Sequence, residues 1–193
     1  MGGRLGHSAG AKTKVDYNRG AGIHDKAELA ASGMAGQLDL GYNHLMNNFL
    51  VGVNLYGALS GQKGDMQNRS GSVTDAYKLK VSKKHAFGAD VRLGRIMCKV
   101  LPYALASVEM AKWDANLSGK HTGGQKKTIA SFGGGLGMEW AMDTHWALNM
   151  EWKYMNGKKI NFATKNTNTG AKLGDISVKP QTTTFMVGVR RKI

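Results

Sequence analysis

The chain has no run of 18 or more apolar residues, so no segment of it can cross a bilayer as a helix. Its one cysteine, Cys98, excludes an internal disulfide and reads as an incidental thiol in a turn. Two prolines stand against 27 glycines, and long helical patterns are scarce. That balance favours an all-β chain rich in turns and close backbone approaches. Acids are also few: 13 Asp and Glu face 27 Lys and Arg, a formal net charge of +14. Met1 leads directly into GGRLGHSAG, without the basic start and apolar stretch of a signal peptide, so an exported protein of this sequence is read as its mature or recombinant form. At 193 residues, one domain spanning 1–193 is expected.

What the chain does have is alternation. Residues 128–154, TIASFGGGLGMEWAMDTHWALNMEWKY, read as two strands joined by a tight turn. Phe132, Gly134, Leu136, Met138 and Trp140 share one face of the first, opposite Ser131, Gly133, Gly135, Gly137 and Glu139. Trp146, Leu148, Met150, Trp152 and Tyr154 share one face of the second, opposite Ala147, Asn149, Glu151 and Lys153. The period is two, not 3.6. Each half is about ten residues, the length of a tilted membrane strand. Trp140, Trp146, Trp152 and Tyr154 gather toward strand ends, where an aromatic belt at the membrane interface would fall. A mean hydropathy of -0.35 does not oppose this, because only alternate residues of such strands face lipid.

The same design recurs along the chain. Strands are expected at 2–8, 33–42, 49–59, 86–94, 101–111 and 182–193 besides the hairpin, eight in all. Four long loops (9–32, 60–84, 112–127 and 156–180) alternate with three short turns. This is the layout of an eight-stranded antiparallel up-and-down transmembrane β-barrel, with long external loops and short periplasmic turns.

The motifs SGMAGQLDLGYNHLMNNFLVGVNLYGALSG, ADVRLGRI, LPYALASV, FGGGLGMEWAMDTHWALNMEWKYMNG and TTTFMVGVRRKI together resemble the small eight-stranded outer-membrane barrels of the opacity-porin and OmpA-like surface-antigen family. The likeness covers most strands and none of the long loops. It implies residence in the outer membrane of a Gram-negative bacterium and insertion by the barrel-assembly machinery. Family members finish on an aromatic with another two residues earlier, places held here by Ile193 and Arg191.

With apolar faces toward lipid, the other faces put Asp39, Asp90, Glu109, Glu139 and Glu151 in the lumen with Arg4, Arg92, Lys153 and Arg190. Side chains fill an eight-stranded barrel, so these charges are expected to form an ion-pair plug rather than a pore, a small ion-conducting porin being the alternative. The four long loops hold 19 lysines and arginines against seven acids. Among them Lys78, Lys80, Lys83, Lys84, Lys126, Lys127, Lys158 and Lys159 are candidates to attract polyanions, at the outer surface lipopolysaccharide phosphates or sulfated host glycans. A host surface protein is a further possible partner.

Enzymatic chemistry is not expected. His7 and Ser8 are adjacent and so point to opposite faces of a strand. The other histidines show no metal-ligand spacing, and neither metal nor cofactor is expected. GGGLG lacks the helix start that a phosphate-cradling loop needs; its glycines are expected to let lumen side chains pass. The basic residues lack an aromatic stacking platform on a sheet, so nucleic acid is not an expected partner. Alternation alone leaves one rival fold open, a soluble lipocalin-like barrel whose apolar faces point inward to bind an apolar ligand.

Overall fold

In the computed structural model the chain is described over residues 1–18, 24–68, 77–119, 121–166 and 172–191, with side chains placed over 1–8, 32–64, 80–114, 116, 126–159 and 179–191. The strands are β1 (Gly2–Asn18), β2 (His24–Met46), β3 (Phe49–Ser60), β4 (Lys63–Asn68), β5 (Tyr77–Arg95), β6 (Val100–Gly119), β7 (His121–Ala141), β8 (Trp146–Gly157), β9 (Ile160–Asn166) and β10 (Lys172–Arg191). All pair antiparallel, and the order β1-β10-β8-β7-β6-β5-β3-β2 closes through pairing of β1 with β2. Closure leaves the ring of eight without a free edge. The two short strands add no stave. β4 lies between β2 and β5, the neighbours of β3, and β9 lies between β7 and β10, the neighbours of β8. Each resumes a stave after a break, at 61–62 and at 158–159.

The faces follow the alternation. Leu38, Leu55, Phe87, Leu93, Met110 and Leu136 are exposed on the outside, whereas Arg4, Asp39, Asn54, Asp90, Arg92 and Glu151 are buried within. This overturns the lipocalin-like rival, which requires the apolar residues inside. An apolar surface that encircles a barrel is what lipid covers, not what water hydrates. At one end the staves are joined by tight turns. Asn47 and Cys98 take the positive φ of 55° and 56° there, and Asp143 Oδ1 accepts the backbone N–H groups of His145 and Trp146, both at 2.7 Å.

The other end differs from the sequence-based expectation. The four segments expected as long loops are mostly strand, and in β6 and β7 the pairing runs on to Leu117 and Gly123. β6 has 20 residues. At roughly 3.3 Å per residue that is about 66 Å of strand. Tilted at 35–45°, it rises about 50 Å, twice the apolar band of about 25 Å. The staves therefore stand well clear of the membrane. Beyond the band the outer face meets water instead of lipid, so Lys80 and Lys112 point outward while Val81 and Trp113 are buried inside, and the apolar-outward pattern of a membrane strand is lost.

One irregularity matters for function. Lys83 pairs with Trp113 and Ala86 with Ala111, so Lys84 and His85 together oppose Lys112. This is a β-bulge, and a bulge shifts the alternation by one residue. Counting outward from Asp90, Gly88 and Ala86 would put Lys84 inside and Lys83 outside. The bulge does the reverse: Lys83 is buried in the lumen, while the Lys84 side chain is 57% exposed.

Candidate functional site

The lumen holds one continuous chain of charged and polar contacts. Arg92 meets Glu139 at 2.8 Å, and Glu139 meets Arg190 at 2.6 Å. Arg190 pairs with Asp39 at 2.6 Å, and Asp39 with Arg4 at 3.0 Å. Arg4 reaches Glu151 at 2.5 Å, Glu151 lies 3.5 Å from Lys153, and Lys153 is 3.0 Å from Asp90. Asp90 then accepts from Ser107, whose hydroxyl lies 3.3 Å from that of Tyr56. Tyr56 donates to Glu109 at 3.3 Å, and Lys83 closes the chain on Glu109 at 2.6 Å.

Lys83 corrects the sequence reading. The sequence groups it with the polyanion-attracting loop lysines, but among the described residues it is the fifth base of the lumen, matching the five acids Asp39, Asp90, Glu109, Glu139 and Glu151. The balance has a physical basis, since a buried charge is tolerated when it is paired and costly when it is not. The other lumen residues named from sequence, Arg4, Arg92, Lys153 and Arg190, are brought into this one network. Missed in the sequence as members were Asn43, Asn54, Ser107 and Asn149, and above all Tyr56 and Tyr103. Tyr103 donates to Glu151 at 3.0 Å and accepts from Asn149 at 2.7 Å, and the ring of Tyr56 lies 4.2 Å from the Lys153 ammonium. The available signal was their inward parity beside glycines on neighbouring strands. A Cβ at Gly88 would strike the ring of Tyr56, and one at Gly137 the ring of Tyr103.

Little space is left. A cavity of about 30 Å³ lies among Gln37, Tyr56, Lys83, Glu109, Glu151, Lys153 and Met155. That is room for only a water or two. Ala111 and Ile129 are buried just below Lys83, Trp113 level with it and Val81 beyond it. At the turn end a vestibule of about 410 Å³ is bounded by Glu139 and Arg190 together with Tyr42, Lys99 and Leu101. A hydrated ion would have to part several ion pairs to pass. Planar-bilayer recordings of the purified protein are therefore expected to show no large, stable openings, and such openings would refute a filled lumen.

The outer surface carries the remaining residues named from sequence. Trp140 and Trp146 flank the turn at 142–145, and Trp152 and Tyr154 lie higher on the same exposed face of β8. Eight residues separate Trp146 from Tyr154, about 20 Å of height for a tilted strand, so the aromatics bracket most of the apolar band. Lys80, Lys84, Lys126, Lys127, Lys158 and Lys159 are exposed, and the side chain of Lys78 lies outside the described residues. Lys84 hydrogen-bonds Asp114 at 3.0 Å on the outer wall and holds its carboxyl below the usual aspartate range, with Lys126 and Lys112 adding to the effect. Asp114 is shielded from solvent by these close neighbours, although it lies on a surface with little protein around it.

A family model described as the outer membrane protein beta-barrel domain matches residues 2–190. The chain belongs to that family. As an outer-membrane barrel of a Gram-negative bacterium, it carries its short turns on the periplasmic side and its long extensions outside. Among solved structures it is similar to the outer membrane protein OprG from Pseudomonas aeruginosa, at 14% identity over 100% of this chain and 96% of that one, with a TM-score of 0.65. Neisserial surface protein A matches at 15% identity over 99% of this chain and 97% of that one, with a TM-score of 0.37. Ail, the attachment invasion locus protein of Yersinia pestis, solved with the heparin analogue sucrose octasulfate, matches at 15% identity over 99% of each chain, with a TM-score of 0.40. A search of curated proteins found no match. The likeness to OprG supports the fold of this outer-membrane barrel and nothing more specific.

Proposed function

We propose that this barrel is a non-enzymatic surface protein of a single domain, 1–193, inserted by the barrel-assembly machinery, whose basic external extension contacts polyanions: lipopolysaccharide phosphates or sulfated host glycans. The observation that carries the reading is the separation of charge. The lumen network sets five bases against five acids, so the excess of the +14 lies outside it, and most of it lies in the four external segments. Positive charge concentrated at one end of a molecule raises the local concentration of polyanions and speeds their encounter. The barrel anchors, and the extension meets the ligand.

Immobilised heparin tests this. The protein is expected to be retained at low ionic strength and released as salt rises, because exposed charges are screened over about 8 Å at physiological ionic strength. A variant with Lys126, Lys127, Lys158 and Lys159 changed to Gln is expected to elute at lower salt. Retention that ignores salt, or that ignores these four substitutions, would count against the proposal.

A further inference from the structure

The bulge that turns Lys83 inward also delivers Lys84 to the outer wall, where three strands build a compact amphipathic patch. Asp114 on β6 pairs in register with Ser82 of β5 and Lys126 of β7, and Lys112 lies two residues below it on the same face. Lys84, Lys112 and Lys126 thus surround a single carboxylate. Lys158 stands lower, at the level of Met110: its backbone N–H bonds Ala130, which pairs with Met110, and its ammonium lies 6.0 Å from the ring of Phe132. Asp114 Oδ1 is shielded and has no hydrogen-bond partner. Immediately below, Met110, Phe87 and Phe132 are exposed at 65%, 68% and 54%. Met110 lies two residues from Lys112, about 7 Å along the strand.

From bottom to top, then, the wall offers apolar side chains, the ammonium groups of Lys84 and Lys112, and the Asp114 carboxylate level with Lys126, one of its oxygens without a donor, at the upper edge of the lipid-facing band. One membrane component presents the complementary groups, acyl chains below with phosphates and sugar donors above: an acylated amino-sugar that bears phosphates. The acyl chains lie on the apolar side chains, a sugar hydroxyl or amide donates to Asp114, and a phosphate accepts from the lysines through charge-assisted hydrogen bonds. We infer that the Lys84, Lys112, Lys126 and Asp114 patch on β5–β7 is a binding site for the phosphorylated lipid A portion of lipopolysaccharide in the protein's own membrane. This rests on the reading above, that the basic exterior meets polyanions, and narrows it to one wall and one ligand.

Asp114 makes the inference testable against simple charge attraction. If the patch were only a field of positive charge, removing its one acid would strengthen anion binding. If Asp114 accepts a sugar donor, removing it weakens binding. The experiment titrates the full chain, in detergent, with bisphosphorylated lipid A, its dephosphorylated form and phosphatidylglycerol, and repeats the titration with K84Q/K112Q/K126Q and with D114A. Heat-modifiable gel mobility shows that each variant is folded. Phosphorylated lipid A is expected to bind, with affinity falling about tenfold or more on dephosphorylation or in the triple variant, and falling also in D114A. Unchanged binding by the triple variant, tighter binding by D114A, or equal binding of phosphatidylglycerol overturns the inference. Wild type that binds heparin while giving any of those results leaves the broader reading standing, whereas wild type that binds neither heparin nor lipid A overturns both.

Discussion

Replacing Lys153 by Met is expected to destabilise the barrel by about 3–5 kcal/mol, the usual cost of breaking a buried ion pair by removing one partner. Among the described residues Lys153 is the cation within ion-pair distance of Asp90, which it meets with both carboxylate oxygens at 3.0 and 3.1 Å. Asp90 is wholly buried, so the lost charge is not replaced by solvent. The hydroxyl of Ser107 remains, but one neutral donor does not neutralise a carboxylate. Glu151 suffers less, because it keeps Arg4 and Tyr103. Adding Asp90→Asn to Lys153→Met removes the stranded charge and is expected to recover a large part of the loss. Urea unfolding of the four proteins of this cycle in lipid vesicles measures the coupling. Additive single effects would mean that the lumen is wet enough to screen the pair.

The second large effect is expected at Gly137. A side chain there enters the space of the Tyr103 ring. The ring has no easy retreat, because its hydroxyl is held between Glu151 and Asn149 and its face lies 5.2 Å from the Arg92 guanidinium. Gly137→Val must therefore either spread β6 from β7 or expel the ring and break those contacts. A cost of about 3 kcal/mol is expected, the upper part of the range for overpacking. Gly57→Ala is the control. A Cβ at Gly57 meets only Phe87, at an ordinary 3.5 Å, and the change is expected to be neutral or mildly stabilising. If Gly137→Val unfolds at the same urea concentration as wild type, the glycine is not there to seat the tyrosine.

Both experiments probe parts of the molecule that differ in how readable they were. The faces of 33–42, 49–59 and 86–94 were legible because inside and outside of a membrane barrel differ in chemistry at every second residue. Asp39, Asn54, Asp90 and Arg92 each lie inside as alternation places them. The positions of Glu139 and Glu151 followed from the same count along the β7–β8 hairpin. Which acid meets which base did not, since Arg4 and Glu151, or Arg190 and Asp39, are brought together by ring closure and stave register.

Sequence by itself determined the β class, the membrane-facing side of most staves, the lumen charges among the described residues save one, and the concentration of lysine at one end. These are properties of alternate residues, and alternation needs only a strand and two unlike surroundings. Tertiary structure decided the rest. Beyond the band the outer face meets water instead of lipid, so the apolar-outward pattern fails there, and pairing across staves was required to reveal the strands described within 9–32, 60–84, 112–127 and 156–180. The bulge at Lys84 and His85 exists because β5 carries one more residue than β6 across the same stretch, a count that is meaningful only once the two strands are aligned. That single extra residue sends Lys83 inward to balance Glu109 and Lys84 outward to Asp114, and so sets both the charge balance of the described lumen network and the charge of the wall.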